Sequence, residues 1–445
     1  MKILFISLGC DKNLVDSEVM LGLLASRGYE MIDDEQEADI IVVNTCCFIH
    51  DAKQESVDNI LEMAEYKKTG KLKALIVTGC LAERYRQEII DEIPEVDAVL
   101  GTTAYDKILD AVDEALEGKY FLEMEDLQAL PVVDTKRQIT TGGHFAYMKI
   151  AEGCDKHCTY CIIPKIRGTY RSVPMEQLIK EAEELAAQGV KELILVAQET
   201  TLYGKDLYGE KSLHKLLKEL CKVSGIQWIR ILYCYPEEIT DELIQVIKEE
   251  PKICHYLDLP IQHANDEILK RMGRRTSKQE LLDIVTKLRK EIPDICLRTT
   301  LITGFPGETE EQHQELVEFV DEMEFDRLGV FTYSPEEDTP AATMPDQIEE
   351  EVKLERQAEL MELQQEIAFD TAEKMIGREM LVMIEGKIAD EPAYVGRTYR
   401  DAPKVDGLIF VETGELLMSG DFAKVTVTGA EEYDLIGGLT NELTE

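Results

Sequence analysis

Nine residues, Gly153-Cys154-Asp155-Lys156-His157-Cys158-Thr159-Tyr160-Cys161, carry three thiols at spacings of three and two intervening residues, in a loop between an apolar strand and a helix. Three soft ligands with no fourth in the motif suit an iron-sulfur cluster that keeps one iron open for chemistry. Zinc is the competing reading, with His157 or a distant group as fourth ligand. Zinc motifs usually bring two separate thiol pairs, and the second pair is missing. Three further cysteines stand where strands should end: Leu8-Gly9-Cys10, Asn44-Thr45-Cys46 and Thr78-Gly79-Cys80. The carboxyl ends of strands form the binding edge of an open parallel sheet, so these thiols would converge there as a second three-thiolate site. Cysteine is also a common buried residue. Cys47, Cys221, Cys234, Cys254 and Cys296 lack paired spacing and are read as packing.

The elements that must position these thiols follow from periodicity. Strands over 2–8, 39–44 and 74–78 alternate with helices over 16–27, 54–66 and 82–92, and such alternation means a doubly wound parallel sheet. From Gly118 to Gly143 the pattern fades and Pro131 interrupts it, which marks a linker with a short hairpin. Strands over 144–150, 193–197, 228–233, 256–259, 296–302 and 328–332 then give six βα steps, a partial (β/α)6 barrel of the TIM type with an open side. At the carboxyl ends of those strands stand the cysteine loop, Gln198-Glu199-Thr200-Thr201, Gln262-His263, Thr303-Gly304-Phe305-Pro306-Gly307-Glu308 and Ser334. His263 is either a proton-transfer group or a structural hydrogen-bonding residue. A long charged helix over 346–375 leads to short strands over 379–385, 408–411 and 422–428, read as a small β-barrel. The expected domains are 1–139, 140–375 and 376–445.

The 445 residues are too many for one compact core, and 44% of them are hydrophobic. No apolar run approaches the length of a membrane span, so the expectation is a cytoplasmic protein with no membrane partner. Eleven cysteines in a reducing compartment are read as ligands or buried thiols rather than disulfides. The net charge of −41 repels polyphosphate chains and favours basic partners, unless acidity serves only solubility. From Arg378 onward six basic residues face fourteen acidic ones, the reverse of an RNA-gripping footprint, although Arg397, Arg400 and Lys404 make a local basic strip.

Cys154, Cys158 and Cys161, with the aromatic Tyr160, resemble the signature of radical S-adenosylmethionine enzymes. Over nearly the full length the chain resembles the methylthiotransferases, which join an amino-terminal cluster domain to such a barrel and a terminal TRAM domain. Ser7-Leu8-Gly9-Cys10 followed by Lys12-Asn13-Leu14-Val15-Asp16-Ser17-Glu18, and Ala197-Gln198-Glu199-Thr200-Thr201 with Asp206-Leu207-Tyr208-Gly209, are similar to the RimO-type branch. The resemblance implies two [4Fe-4S] clusters, at Cys154, Cys158, Cys161 and at Cys10, Cys46, Cys80. It also places Tyr160 near the adenine. Gln198, Glu199 and the Gly304-Phe305-Pro306 turn at the strand ends are read as further S-adenosylmethionine contacts, the turn's glycines serving either close backbone approach to the ligand or an ordinary strand-to-helix turn. No catalytic residue beyond the cluster ligands is assigned. The implied reaction is methylthiolation of the β-carbon of one aspartate in a basic protein, the twelfth of the small ribosomal subunit. There one S-adenosylmethionine is cleaved to a hydrogen-abstracting radical and a second methylates a sulfide at the Cys10, Cys46, Cys80 cluster. A flavodoxin or ferredoxin is the expected one-electron donor. The sister branch acts on adenosines of transfer RNA, which the acidic tail disfavours, and a non-enzymatic iron-sulfur electron carrier is the remaining alternative.

Overall fold

Continuous apolar runs build the first sheet, because a parallel strand covered on both faces needs no polar alternation. A computed structural model describes residues 1–130 and 136–441, so Pro131 lies outside the described residues. Strands β1 (Lys2–Ser7), β2 (Glu30–Ile32), β3 (Ile40–Thr45), β4 (Ala74–Gly79), β5 (Ala98–Leu100) and β6 (Phe121–Glu123) form one parallel sheet in the order β2-β1-β3-β4-β5-β6. Apolar clusters cover both faces, one through Ile60, Met63 and Leu81 and the other through Met20, Leu24 and Ile108. This is the doubly wound arrangement expected from the alternation.

Three expectations fail locally. The first helix spans Asp11–Ser26 and so begins directly after Cys10, five residues earlier than its apolar period suggests. The helix expected over 82–92 is two short helices, Cys80–Tyr85 and Gln87–Glu92, broken at Arg86, whose φ of 46° no α-helix accommodates. Among the described residues of the 118–143 stretch there is no hairpin; β6 runs parallel to β5 and completes the first sheet.

Strands β7 (Phe145–Lys149), β8 (Ala151–Glu152) and β9 (Arg171–Ser172) flank the cysteine loop. The barrel continues with β10 (Glu192–Val196), β11 (Trp228–Ile231), β12 (Ile253–Asp258), β13 (Cys296–Thr303) and β14 (Arg327–Thr332). Six of these form a parallel sheet ordered β14-β13-β12-β11-β10-β7, with β7 and β14 as unjoined edges, which is the open six-step barrel read from the sequence. The helix Glu350–Glu373 packs against β13 and β14.

The third unit is a closed barrel of β15 (Glu379–Lys387), β16 (Ala393–Thr398), β17 (Ile409–Glu412), β18 (Phe422–Glu431) and β19 (Asp434–Leu439). In β18 Ala423, Val425 and Val427 are buried and Lys424 and Thr428 exposed, the alternation of a half-buried strand. This unit is clamped to the six-strand sheet by buried charges. Glu192, at the start of β10, accepts from Arg230 at 2.8 Å and from Arg397 at 2.7 Å, while Arg400 pairs with Asp326 and Arg327 with Asp401 at 2.6 Å. The basic strip anticipated in the tail is therefore consumed internally: Arg397 is 1% and Arg400 6% exposed, and only Lys404 remains outward. One apolar cluster joins all three units, with Val15 of the first helix, Phe145, Ile194 and Tyr256 of the barrel, and Met383 and Ala402 of the third unit. Among the described residues no helix is long and apolar enough to cross a membrane.

Candidate active site

The loop that carries Cys154, Cys158 and Cys161 is tied down by backbone. Gly153 takes the left-handed region at φ 76°, and a Cβ there would lie 2.1 Å from the Thr169 carbonyl oxygen and 2.6 Å from that of Gly168. The antiparallel pair of β8 and β9 holds those carbonyls in place, and the Cys154 N–H donates to Gly168 O at 3.1 Å. Thr159 fastens the far side, donating from N to Met272 O at 2.9 Å and from its hydroxyl to Arg271 O at 2.8 Å. Cys154 and Cys158 are buried and Cys161 half-buried. Burial pushes the Cys154 thiol up to about 12, and Cys161 also rises, first by burial and then by the neighbouring Cys158. Thiols so desolvated ionise only against a cation, and three of them as a soft donor set fit a bound iron-sulfur cluster. His157, the alternative zinc ligand, is exposed. Among the described residues no group of three or more His, Cys, Asp or Glu side chains closes around a single metal-ion position.

Cys10, Cys46 and Cys80 follow β1, β3 and β4, three neighbouring strands, and so stand side by side on one sheet edge. A Cβ on Gly9 would lie 2.7 Å from the Cys46 Cβ, so the Cys10 turn packs directly on Cys46. Asn13 cross-links the edge, donating to Thr45 O at 2.9 Å and Leu8 O at 3.2 Å, with its Oδ1 3.7 Å from the Cys80 sulfur. Ser56 accepts from the Cys46 N–H at 3.0 Å and donates to its carbonyl at 2.8 Å. Burial pushes the Cys46 thiol up to about 12. Cys47 is fully buried in the apolar cluster, and Cys234, Cys254 and Cys296 are likewise buried.

Two devices run between the elements that carry the cysteine sets, and neither is read from the sequence. Arg167, six residues after Cys161 and fully buried, donates to the Cys80 sulfur at 3.5 Å, to Asp16 at 2.9 Å and to Glu152 at 3.2 Å, and also reaches Asn13. Lys149 pairs with the same Asp16 and, at 2.6 Å, with the same Glu152, whose other oxygen accepts from Gln198 at 2.8 Å. Burial opposes ionisation of Glu152, yet Lys149 and Arg167 overcome it and hold its carboxyl well below the usual range. The second device is the turn after β11. Tyr233, left-handed at φ 59°, donates its hydroxyl to Asp11 at 3.0 Å beside Cys10, and two residues on the Tyr235 hydroxyl lies 3.8 Å from the Cys158 sulfur. A non-glycine residue held at positive φ costs energy and is common at working sites. The signal available in the sequence was position alone: Lys149, Glu152 and Arg167 flank the cysteine loop, and Tyr233 to Tyr235 follow a strand's carboxyl end.

The residues expected to meet S-adenosylmethionine fall into two groups. Glu199 is fully buried; its Oε1 accepts from the Thr201 hydroxyl at 2.9 Å, while Oε2 has no hydrogen bond and lies 3.5 Å from the Lys156 ammonium. Burial outweighs the pull of Lys156 and pushes this carboxyl up to about 7. Gln198 leaves its Oε1 without a partner, as Thr303 and Tyr333 leave their hydroxyls. Buried polar atoms of this kind at the carboxyl edge of a barrel suit a ligand rich in ammonium, carboxylate and hydroxyl groups. The Gly304 turn is held by the chain itself. Gly304 is left-handed at φ 69°, but a Cβ there would strike the Lys353 side chain at 2.3 Å, so the close approach it permits is to the chain's own long helix. Phe305 and Pro306 are buried, with Phe305 edge-on to Tyr160 at 6.5 Å and to Tyr333 at 5.3 Å; the half-buried Tyr160 ring is the outward member of that stack. Glu308 pins the turn, accepting from Gly304 N at 3.0 Å and from Arg356 at 2.8 Å with His263 Nε2 at 3.4 Å. His263 also accepts from Asn265 N at 3.0 Å, so it is a fully buried latch for this turn.

The amino-terminal residues 2–101 match the model of an uncharacterised protein family designated UPF0004, residues 148–320 match the radical SAM superfamily, and residues 376–439 match the TRAM domain. The chain is 68% identical over 437 residues to the ribosomal protein uS12 methylthiotransferase RimO of Lachnoclostridium phytofermentans, covering 98% of this chain and 99% of that protein. It is 52% identical to the protein of the same name from Clostridioides difficile, over the whole of both. Among solved structures, the fold is shared with the radical S-adenosylmethionine methyltransferase TsrM of Kitasatospora setae, solved with cobalamin and a [4Fe-4S] cluster bound, at a TM-score of 0.55, 14% identity and 76% of each chain. It is also shared with the cobalamin-dependent S-adenosylmethionine radical enzyme OxsB, at a TM-score of 0.51, 13% identity, 81% of this chain and 56% of that one.

Proposed function

The chain belongs to the RimO-type radical S-adenosylmethionine methylthiotransferases, and we propose from this that its two cysteine sets serve one reaction, the addition of a methylthio group to the β-carbon of an aspartate in ribosomal protein uS12. It is an S-adenosylmethionine-dependent iron-sulfur enzyme. The β-carbon bears no acidic hydrogen for a side-chain base to remove, so the reaction needs radical chemistry from a cofactor. When bound, a [4Fe-4S] cluster on Cys154, Cys158 and Cys161 would supply the electron that cleaves S-adenosylmethionine, and one on Cys10, Cys46 and Cys80 would carry the sulfide that is methylated and inserted. The protein's own part is to hold and orient. Glu199 and Gln198, each with an oxygen free of hydrogen bonds, would take the methionyl end of the cofactor, and the half-buried Tyr160 would contact its adenosine. Arg167 fixes the edge on which Cys80 stands against the barrel.

The observation that carries this reading is that Arg167 links the Cys80 sulfur to Glu152, two residues before Cys154, and the Tyr233–Tyr235 turn meets Asp11 beside Cys10 and the Cys158 sulfur, which supports one shared pocket for the two sets. With it go the proposals of domain limits near 139 and 375, a cytoplasmic setting and a flavodoxin or ferredoxin as electron donor. Modification of transfer RNA is disfavoured because the third unit's Arg397 and Arg400 are spent on the barrel, which leaves little basic surface to displace counterions from phosphates. The test uses the anaerobically reconstituted chain with purified uS12 and, separately, transfer RNA, followed by mass spectrometry of both. Cys158→Ala is expected to abolish formation of 5′-deoxyadenosine, whereas Cys46→Ala keeps it and loses methylthiolation. Methylthiolated uS12 from Cys46→Ala would overturn the division of labour.

A further inference from the structure

A buried ammonium without a counter-ion stands beside Cys10. Lys12 lies in the first turn of the helix Asp11–Ser26 and is only 7% exposed. Its Nζ rests 3.3 Å from the centroid of the Tyr233 ring, and among the described residues it has no ion pair and no hydrogen bond. The other buried lysines, Lys156 and Lys353, differ, as does the nearly buried Lys149: each lies against at least one carboxylate. Removing an ion from water is costly unless it is paired, and a cation–π contact returns only part of that cost.

The groups around Lys12 point to an anion as the missing partner. The helix begins at Cys10, which makes no side-chain capping bond, so first-turn N–H groups and the positive end of the helix dipole stand open beside the ammonium. Two carboxylates contact Tyr233, and both are engaged by donors. Asp11 accepts the Tyr233 hydroxyl at 3.0 Å, and Asp258 accepts the Tyr233 N–H at 3.0 Å and Arg298 at 3.0 Å. Tyr233 in turn belongs to the turn whose Tyr235 hydroxyl lies against Cys158. The free cation therefore sits on the ground that the two cysteine sets share.

We propose that Lys12, backed by the Tyr233 ring and the first turn of its helix, binds the side-chain carboxylate of the aspartate that this enzyme modifies. The inference rests on the reading of uS12 as substrate and adds to it a substrate-binding residue. The carboxylate is one bond from the carbon that reacts, so clamping it fixes the β-carbon, and it is the group that distinguishes aspartate from isosteric asparagine. A cation–π contact takes up one side of the ammonium and leaves its three hydrogens to be shared with such an acceptor.

The test is a binding cycle on the full, cluster-reconstituted chain. Its probes are uS12 and uS12 in which the modified aspartate, located by mass spectrometry of the wild-type product, is replaced by asparagine. The wild-type chain is expected to bind the aspartate form about tenfold tighter, Lys12→Met to bind both forms alike, and Lys12→Arg to keep most of the preference. Iron and sulfide are quantified in each variant so that a lost cluster is recognised as such. A Lys12→Met chain that retains the wild-type preference overturns the proposal. So does a wild-type chain without any preference, a result that depends on no variant folding. Failure of the wild-type chain to modify uS12 at all would instead refute the functional reading on which the proposal stands.

Discussion

At the scale of single residues, the buried charges are coupled tightly enough that their removal has a definite sign. Arg167 is the common partner of Asp16, Glu152 and the Cys80 sulfur, in a place that water does not reach. Arg167→Met would keep the volume but leave Lys149 alone with two buried carboxylates, and stripping one partner from such a set costs about 3 to 5 kcal/mol. Denaturant unfolding of the metal-free protein should show that loss, whereas a value near zero would mean the charges relax to solvent. Glu199 gives a pH signature. Burial raises its carboxyl to about 7, so between roughly pH 4.5 and 7 the folded chain holds a proton that the unfolded chain has released. The unfolded state binds fewer protons in that window, so stability from this group is full below it and falls as pH rises through it. Glu199→Gln should flatten that part of the stability profile. An S-adenosylmethionine ammonium set against Oε2 would favour the ionised form. Binding near pH 7 should then release a proton, read as a buffer-dependent calorimetric enthalpy that is lost in Glu199→Gln.

At the scale of elements, the strands that the sequence exposes are those long enough to show a pattern. Runs such as ALIVT and LILVA are buried throughout and legible, but β2, β5 and β6 have three residues each, and β19 reads DLIGGL, where two glycines erase the alternation. The first helix shows why the site itself was harder to read. Its opening turns bury Lys12, Asn13, Asp16, Ser17 and Glu18, so the face turned inward is polar and the apolar period begins only afterwards. A buried polar face defeats a search for amphipathic helices, and here that face carries the contacts to Cys80, Arg167 and Lys149. The cysteines were legible because their spacing survives without structure; Arg167 and Tyr233 were not, because only folding brings them together. The cysteine loop is likewise set by an element, the β8–β9 pair. Gly153→Ala would force a Cβ against two backbone carbonyls at a left-handed position, costing about 2 kcal/mol from conformation alone before the clash is relieved. The expected outcome is a lowered midpoint of unfolding together with iron retained only in part. A variant with full iron content and wild-type stability would show that the loop moves freely on its pair.

At the scale of the whole molecule, the third unit acts as a buttress whose charge is divided by side. Arg397 and Arg400 face inward onto Glu192 and Asp326, and the exposed remainder, although it includes Arg378, is net acidic within a chain of net charge −41. A basic ribosomal protein is drawn to such a surface, and an RNA of like charge is repelled from it. The attraction acts over the Debye length, which shrinks from about 30 Å at 0.01 M salt to about 10 Å at 0.1 M. Raising salt over that range should therefore slow association with uS12 by about tenfold while changing dissociation little, since the groups that hold the docked aspartate are buried and poorly screened. Stopped-flow association at several ionic strengths measures both rates. Dissociation that accelerates with salt as steeply as association slows would place the holding contacts on the exposed acidic surface rather than at Lys12 and the two cysteine sets. Tight, salt-sensitive binding of transfer RNA would mean that the charges turned inward here are released to meet it.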